Sequence, residues 1–402
     1  MDAKLSAMLP LPLPLGFRAH VANVGIKDLT DDFVVVASDE PCNAVAMFTK
    51  SRFAGPSVVV SRRNAADRSL QAVVVVSKNA NVATGAEGLA NAEELAASVA
   101  RSVGIGAEDV LVTSTGVIGR QYPMERIREH LAPYGEASKP SPGALLPLTS
   151  TDAFDVATGM MTTDTHPKVA SATVGDARIV GVAKGVGMIE PDMATMLAFV
   201  FTDAHVESDD LDRMFRSVVD RTFNSLSVDT DTSTSDTAAV LANGMSGAVD
   251  LIEFEAALQS VCLDLTRQLA SDGEGATKLL IVEVTSARDD AQAKRVAKAV
   301  LNSPLVKTAV HGADPNWGRV AMAIGKCSDD TDIDEALVTI RFGDEEVYPS
   351  QIGESELAEL EGYLSGDEVL ISIDLGIATG RSTVYGCDLS DGYVRINADY
   401  TT

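Results

Sequence analysis

GVGMIEPDMATMLAFVF, residues 185–201, passes from two glycines through Glu190 and Asp192 into an unbroken apolar run. Met196–Phe201 is an apolar run, and its pattern predicts a strand. The glycines before it suit a turn in which backbone approaches other groups closely. Thr195 stands on the boundary between turn and strand.

Working outward, short β-branched runs recur at Phe33-Val-Val-Val-Ala, Ser57-Val-Val-Val-Ser, Val73-Val-Val-Val-Ser77 and Val110-Leu-Val-Thr. Each is bounded by turn formers or charge and is expected to be a strand. Between them an alanine-rich stretch, about Glu87 to Val103, carries Leu89, Leu95 and Val99 on one helical stripe. Helices are also expected at Pro123–Leu131, from Ser208 onward, at Phe254–Leu269 and at Asp289–Leu301. Further strands are expected at Lys278–Val284, Val338–Phe342 and Val369–Asp374. Glu136–Gly143 is the best loop candidate. The pattern is α/β or α+β, and periodicity alone does not choose between them.

The chain has 402 residues, with 58 acidic against 32 basic side chains and a net charge of −26. Such a surface repels phosphate backbones and anionic lipid, which speaks against nucleic acid and membrane surfaces as partners. No apolar run reaches the length of a membrane span. Cys42, Cys262, Cys327 and Cys387 are scattered, with no C-x-x-C pair. They read as reduced, mostly buried thiols of a cytoplasmic protein. The five histidines show no metal-ligand spacing, so no metal is expected. No Walker loop, G-x-S-x-G elbow or dinucleotide fingerprint is present, and no cofactor is expected. The leading Leu-Pro alternation suits a short extended arm.

Four stretches can carry chemistry. A threonine hydroxyl is a poor nucleophile without a base beside it. Thr195 would gain one, its own α-amino group, if the bond after Ala194 were cut. On its own, though, a threonine opening a strand is an ordinary β-branched strand residue. Thr113-Ser114-Thr115-Gly116 follows a strand and could aim a hydroxyl and an N–H at one point, as an oxyanion hole needs. Ser227–Thr237 is dense in acids and hydroxyls but lacks calcium-loop spacing, and reads as a hydrogen-bonded loop. Asp272-Gly-Glu274-Gly places a carboxylate between two glycines after a helix, where it could bind a cationic amine. The chain ends Arg395-Ile-Asn397-Ala-Asp-Tyr-Thr-Thr402, which reads as packed structure rather than a frayed tail.

Taken together, these stretches resemble the ornithine acetyltransferase (glutamate N-acetyltransferase) family. The matching motifs are Ser114–Gly119, Met161-Thr-Thr-Asp-Thr-His-Pro-Lys168, Lys184-Gly-Val-Gly-Met, Met193–Leu197, Asp229–Asp236, Asp272–Ala276, His311–Arg319 and Ile396–Tyr400. They span nearly the whole chain in family order. The resemblance implies layered sheets and helices of the family's own type, superficially like N-terminal nucleophile hydrolases. It implies self-cleavage between Ala194 and Thr195, giving an α chain of 1–194 and a β chain of 195–402. It also implies that Thr195 takes an acetyl group from N-acetylornithine and passes it to glutamate. Thr115 and Gly116 would form the oxyanion hole. Thr163, Lys184, Glu274, Asn397 and Thr402 would bind substrate. An α2β2 heterotetramer or larger assembly is the expected partner state.

Val186, Glu190, Asp192 and Ser235 depart from the commoner biosynthetic pattern. Arg120–Met124 and Ser328–Ile333 are closer to the branch found in the clavulanic acid gene cluster, so arginine or specialised-metabolite biosynthesis is the expected setting. The alternative is an amidohydrolase or aminopeptidase on a related fold, with water as acceptor.

Overall fold

A computed structural model describes residues 9–135, 144–190, 196–350 and 352–398. The loop expected at Glu136–Gly143 lies outside them. In chain order the first part contains β1 (Phe17–Ala22), β2 (Phe33–Phe48), α1 (Pro56–Asn64), β3 (Ser69–Val76), α2 (Gly85–Val103), β4 (Val110–Ser114), α3 (Met124–Leu131), α4 (Ala153–Met160), β5 (Lys168–Val174) and β6 (Ala177–Lys184). After Thr195 come β7 (Leu197–His205), α5 (Ser208–Arg221), β8 (Thr237–Ala248), α6 (Leu251–Ser271), β9 (Leu279–Ala287) and α7 (Asp290–Leu301). The chain continues with α8 (Pro304–His311), α9 (Trp317–Gly325), β10 (Thr339–Phe342), β11 (Glu345–Tyr348), α10 (Glu354–Leu364), β12 (Glu368–Asp374), β13 (Gly380–Cys387) and α11 (Asp391–Ala398).

The strands form two sheets. One has eight strands, in the order β4-β3-β2-β8-β7-β6-β5 with β1 against β2, and the other has five, β11-β10-β12-β9-β13. Strand β2 holds the larger sheet together. Its first half, Phe33–Ala37, pairs with β1 and β3, the ladder to β3 shifts register between Ala37 and Cys42, and Asn43–Phe48 pairs with β8. This irregularity lets the sheet fold back on itself. Val34, Val36, Val73 and Val75 of one half share a core with Val180, Val182, Phe199 and Phe201 of the other.

Alternate residues then face outward, as the strand repeat requires. Phe33, Val35, Val74 and Val76 pack on Leu95 and Val99 of α2. Ile179, Ala198, Val200 and Val240 pack on α5 and α6. The layers run helix, sheet, sheet, helix, and the expected layering of sheets and helices is present. The smaller sheet packs one face, through Leu279, Ile281 and Tyr385, on the core of α6 and covers its other with α7 to α10.

One expected strand is a helix. Ser57-Val-Val-Val-Ser lies in α1, which starts at Gly55-Pro56 and buries Ser57, Val60, Ser61 and Asn64 along one side. Proline suits the first helical turn. The polar residues at helical spacing serve the edge strand β4: the Ser61 hydroxyl donates to Val112 C=O at 2.7 Å and accepts from Val112 N–H at 2.8 Å. Side-chain pairing of that kind satisfies an edge that a further strand would otherwise occupy. The C-terminal expectation is also corrected. Helix α11 has no buried residue, and Val394 is 64% exposed. Asp399–Thr402 lie outside the described residues. The four cysteines are free thiols, with Cys42, Cys262 and Cys387 buried.

Candidate active site

Strand ends, connecting segments and the last helix bring six of the expected residues to one place. Thr115 and Gly116 follow the last residue of β4, Lys184 closes β6, and Glu274 sits in the loop after α6. Thr163 lies between α4 and β5, and Asn397 on α11. All six line a single cavity of about 280 Å³, together with Val186, Gly187, Met188 and the hydroxyl run Ser233–Ser235. That volume suits an amino-acid-sized ligand rather than a large cofactor. Ala194, Thr195 and Thr402 lie outside the described residues. On either side of the junction stand Glu190 and Met196, and β7 opens at Leu197, paired with Lys184.

The turn at Gly116 requires glycine. Its φ is +129°, and a Cβ there would lie 2.3 Å from the Lys78 carbonyl carbon and 2.7 Å from Asn79 N. Close contact with that backbone fixes the direction of the Thr115–Gly116 peptide. The Lys184 ammonium donates to Thr115 Oγ1 at 3.1 Å. With one lone pair so engaged, the Thr115 O–H is left to donate elsewhere. Burial draws the Lys184 ammonium below the ordinary lysine value; Asp164 opposes this and Lys168 adds to it.

Glu274 stands at the other pole. Its backbone N–H donates to Val186 C=O at 2.8 Å. Its carboxylate lies against Gly187, where a Cβ would meet Oε2 at 2.5 Å. The Asn397 amide donates to the same Oε2 at 2.9 Å. A buried cation and a carboxylate thus face one cavity, an arrangement that can grip a zwitterionic amino acid by opposite charges.

Sequence reasoning missed the support beneath these groups. Lys168 is fully buried and donates to Asp164 Oδ1 at 2.8 Å and Asp272 Oδ2 at 2.5 Å. Asp164 also accepts from Gly185 N–H at 2.7 Å, beside Lys184. Burial works against the Asp164 carboxylate, yet Lys184, Lys168 and that N–H hold it well below the usual carboxylate range. On the far side of the Glu274 loop, Asp388 accepts from Thr277 N–H at 2.8 Å, the Thr277 hydroxyl at 2.6 Å and Lys278 N–H at 3.0 Å, and pairs with His311 Nδ1 at 2.7 Å. The signal for Asp164 and Lys168 was the Asp-x-x-x-Lys spacing inside one motif. Their partner Asp272 lies some hundred residues away, beyond the reach of any local pattern. Among the described residues, no cluster of three or more His, Cys, Asp or Glu side chains could hold a metal, and no helix is long and apolar enough to cross a membrane.

Comparison with known proteins follows the same lines. Glutamate N-acetyltransferase Oat2 of Streptomyces clavuligerus is 58% identical over 400 residues, covering 97% of this chain and 98% of that protein. Arginine biosynthesis bifunctional protein ArgJ 2 of Nostoc sp. is 54% identical over 389 residues, covering 97% of this chain and 98% of that one. A solved structure of arginine biosynthesis bifunctional protein argJ from Bacillus halodurans is 41% identical and covers 51% of this chain and 100% of its own, with a TM-score of 0.48. The ArgJ family pattern matches residues 18–402. With the family pattern and both of these relatives spanning nearly its whole length, at 58% and 54% identity, the chain belongs to the ArgJ family.

Proposed function

We propose that this cavity carries out the two-step acetyl exchange of a glutamate N-acetyltransferase, from N-acetylornithine to glutamate, on a Thr195 that self-cleavage has made a chain terminus. One observation carries the reading. Lys184, Thr115, Gly116 and Glu274 line one cavity, and Lys184 is paired in the sheet with Leu197, two residues after Thr195.

The self-cleavage step balances as an N-to-O acyl shift. Thr195 Oγ attacks the Ala194 carbonyl carbon, the C–N bond breaks, and the freed amine takes the hydroxyl proton. Water then hydrolyses the ester, leaving an Ala194 carboxylate and a Thr195 α-amine. That amine has an ordinary pKa of about 7.7–8.0, so near neutral pH a useful fraction can act as base.

In the exchange, the amine takes the Thr195 hydroxyl proton while Oγ attacks the acetyl carbonyl of N-acetylornithine. The C–N bond to ornithine breaks, the leaving amine takes the proton, and an acetyl ester remains on Thr195. The glutamate amine then attacks that ester and Oγ leaves, regaining a proton. The Thr115 hydroxyl, its lone pair held by Lys184, and the Gly116 N–H stabilise the developing oxyanion. Glu274 holds the ammonium end of ornithine, Lys184 favours carboxylate charge, and Thr163, Asn397 and Thr402 complete the binding surface. No cofactor takes part. The chains 1–194 and 195–402 assemble as an α2β2 heterotetramer or larger, in arginine or specialised-metabolite biosynthesis.

Intact mass under denaturing conditions tests this reading. The expected result is two pieces, the second beginning at Thr195. N-acetylornithine should add one acetyl group to that piece alone, and glutamate should remove it. A single uncut chain that takes no acetyl group would overturn the reading. Ornithine release that is indifferent to glutamate would make the enzyme a hydrolase.

A further inference from the structure

Two loops zip together along one wall of the cavity. The segment 185–190 follows β6 and contributes Val186, Gly187 and Met188 to the lining. The segment 227–231 precedes β8. Val228 N–H donates to Ile189 C=O at 2.7 Å, and Glu190 N–H to Asp231 C=O at 3.1 Å. The Asp229 carboxylate then bridges the pair, Oδ2 accepting from Met188 N–H at 2.6 Å and Oδ1 from Ile189 N–H at 2.8 Å. Asp231 N–H also donates to Oδ1, at 3.3 Å.

Met188 has φ of +58°, a left-handed conformation that a residue with a side chain enters only when its surroundings impose it. Successive N–H groups at such a turn form a concavity for an anion. Here Asp229 fills it from within the chain.

This turn adjoins both charged poles. Gly185 N–H is fixed to Asp164 beside Lys184. Val186 C=O receives the Glu274 N–H, and Gly187 seats the Glu274 carboxylate. Met188 is the next residue, and its backbone decides how Gly187 is presented. Ser227–Thr237 reads from sequence as a hydrogen-bonded loop, and Asp229 is the member of it that reaches the Met188 turn.

We propose that Asp229 is a positioning residue for the cationic substrate. It holds Met188 in the left-handed conformation and so sets Glu274 at the correct distance from Lys184. The proposal rests on the reading of this cavity as the ornithine site.

The test is calorimetric titration of ornithine into the purified protein, as wild type, Asp229→Asn, Met188→Gly and the double variant. Asparagine offers one acceptor oxygen where two N–H groups need one each, so Asp229→Asn should weaken ornithine at least tenfold. In the Met188→Gly background the same change should cost less than threefold, because glycine adopts this φ unaided. KM for N-acetylornithine should follow the binding constant while kcat changes less than threefold. Equal losses in both backgrounds, or no loss in either, would overturn the proposal. Asp229→Glu, which keeps the charge but displaces both oxygens by a methylene, carries the same comparison if Asp229→Asn does not fold. A wild-type protein that binds ornithine but exchanges no acetyl group would overturn only the reaction reading. One that binds no ornithine would overturn both.

Discussion

At the scale of single residues, Gly116 is a position in the cavity wall where one methyl group would force backbone to move. The Cβ of an alanine would fall within 2.3–2.7 Å of Lys78 and Asn79 backbone atoms, and φ is +129°. Backbone cannot yield as a flexible side chain does, so the turn must move and take the Gly116 N–H with it. Loss of one oxyanion donor typically costs roughly 10²–10³ in rate. On the proposed role of the Gly116 N–H as such a donor, Gly116→Ala is expected to lower kcat for acetyl exchange by about that factor, measured by initial rates of ornithine release, with a smaller change in KM. Lys168 is decisive in another way. It is the buried cation between Asp164 and Asp272, and Lys168→Met would leave two buried carboxylates facing each other. Removing one partner of such a group costs about 3–5 kcal/mol, which urea unfolding at neutral pH should show. Both residues stand in motifs that the sequence displays. A glycine in a hydroxyl-bearing turn announced a possible donor, but the Lys78 backbone that makes it obligatory comes from another strand. Lys168 closes the Met161–Lys168 motif, but nothing local marks it as buried until the fold brings Asp272 to it.

Elements show the same division between local and distant causes. The helical stripe of α2 and the acid-led start of α5 are local patterns, and both helices form where the spacing predicts. The strand expected at Met196–Phe201 is β7, extended to His205. The valine run of α1 misleads because β-branched residues prefer strands only as an average. The deciding groups are Ser57, Ser61 and Asn64, whose partners on β4 lie some fifty residues away. The loop that carries Glu274 is likewise fixed from outside, by Asp388 after β13. Burial opposes ionisation of Asp388, but the Thr277 hydroxyl and N–H, His311 and Lys278 N–H hold its carboxyl below the usual range. The folded value is thus lower than the unfolded one of about 3.9. The stabilisation is complete above the unfolded value and disappears as pH falls through the folded one. Wild-type protein should accordingly lose stability on acidification below about pH 4. Asp388→Asn should be less stable at neutral pH and should show a shallower acid limb, as read from urea unfolding between neutral and strongly acidic pH.

Across the whole molecule, the order of strands decides what a cut at Ala194–Thr195 can release. The larger sheet runs β2-β8-β7-β6 through its middle. Strands β2 and β6 belong to residues 1–194, and β7 and β8 to 195–402. The second piece therefore inserts two adjacent strands between strands of the first. Six residue pairs join β2 to β8, and six join β6 to β7. The inserted strands carry Phe199 and Phe201 on one face and Ala198 and Val200 on the other, all buried in the cores on either side. Pulling the pieces apart would break ladders on both flanks and open four unpaired edges, two on each piece, in strands bearing apolar side chains. Cleavage should thus leave the molecule's native size unchanged, with both pieces in a single peak on size-exclusion chromatography and separable only by denaturant. Residues 195–402 expressed alone should aggregate, and co-expression with residues 1–194 should restore a soluble complex. A soluble, folded 195–402 fragment would show that the smaller sheet and α6 suffice for its stability, and that the interleaving of β7 and β8 is not what binds the two pieces.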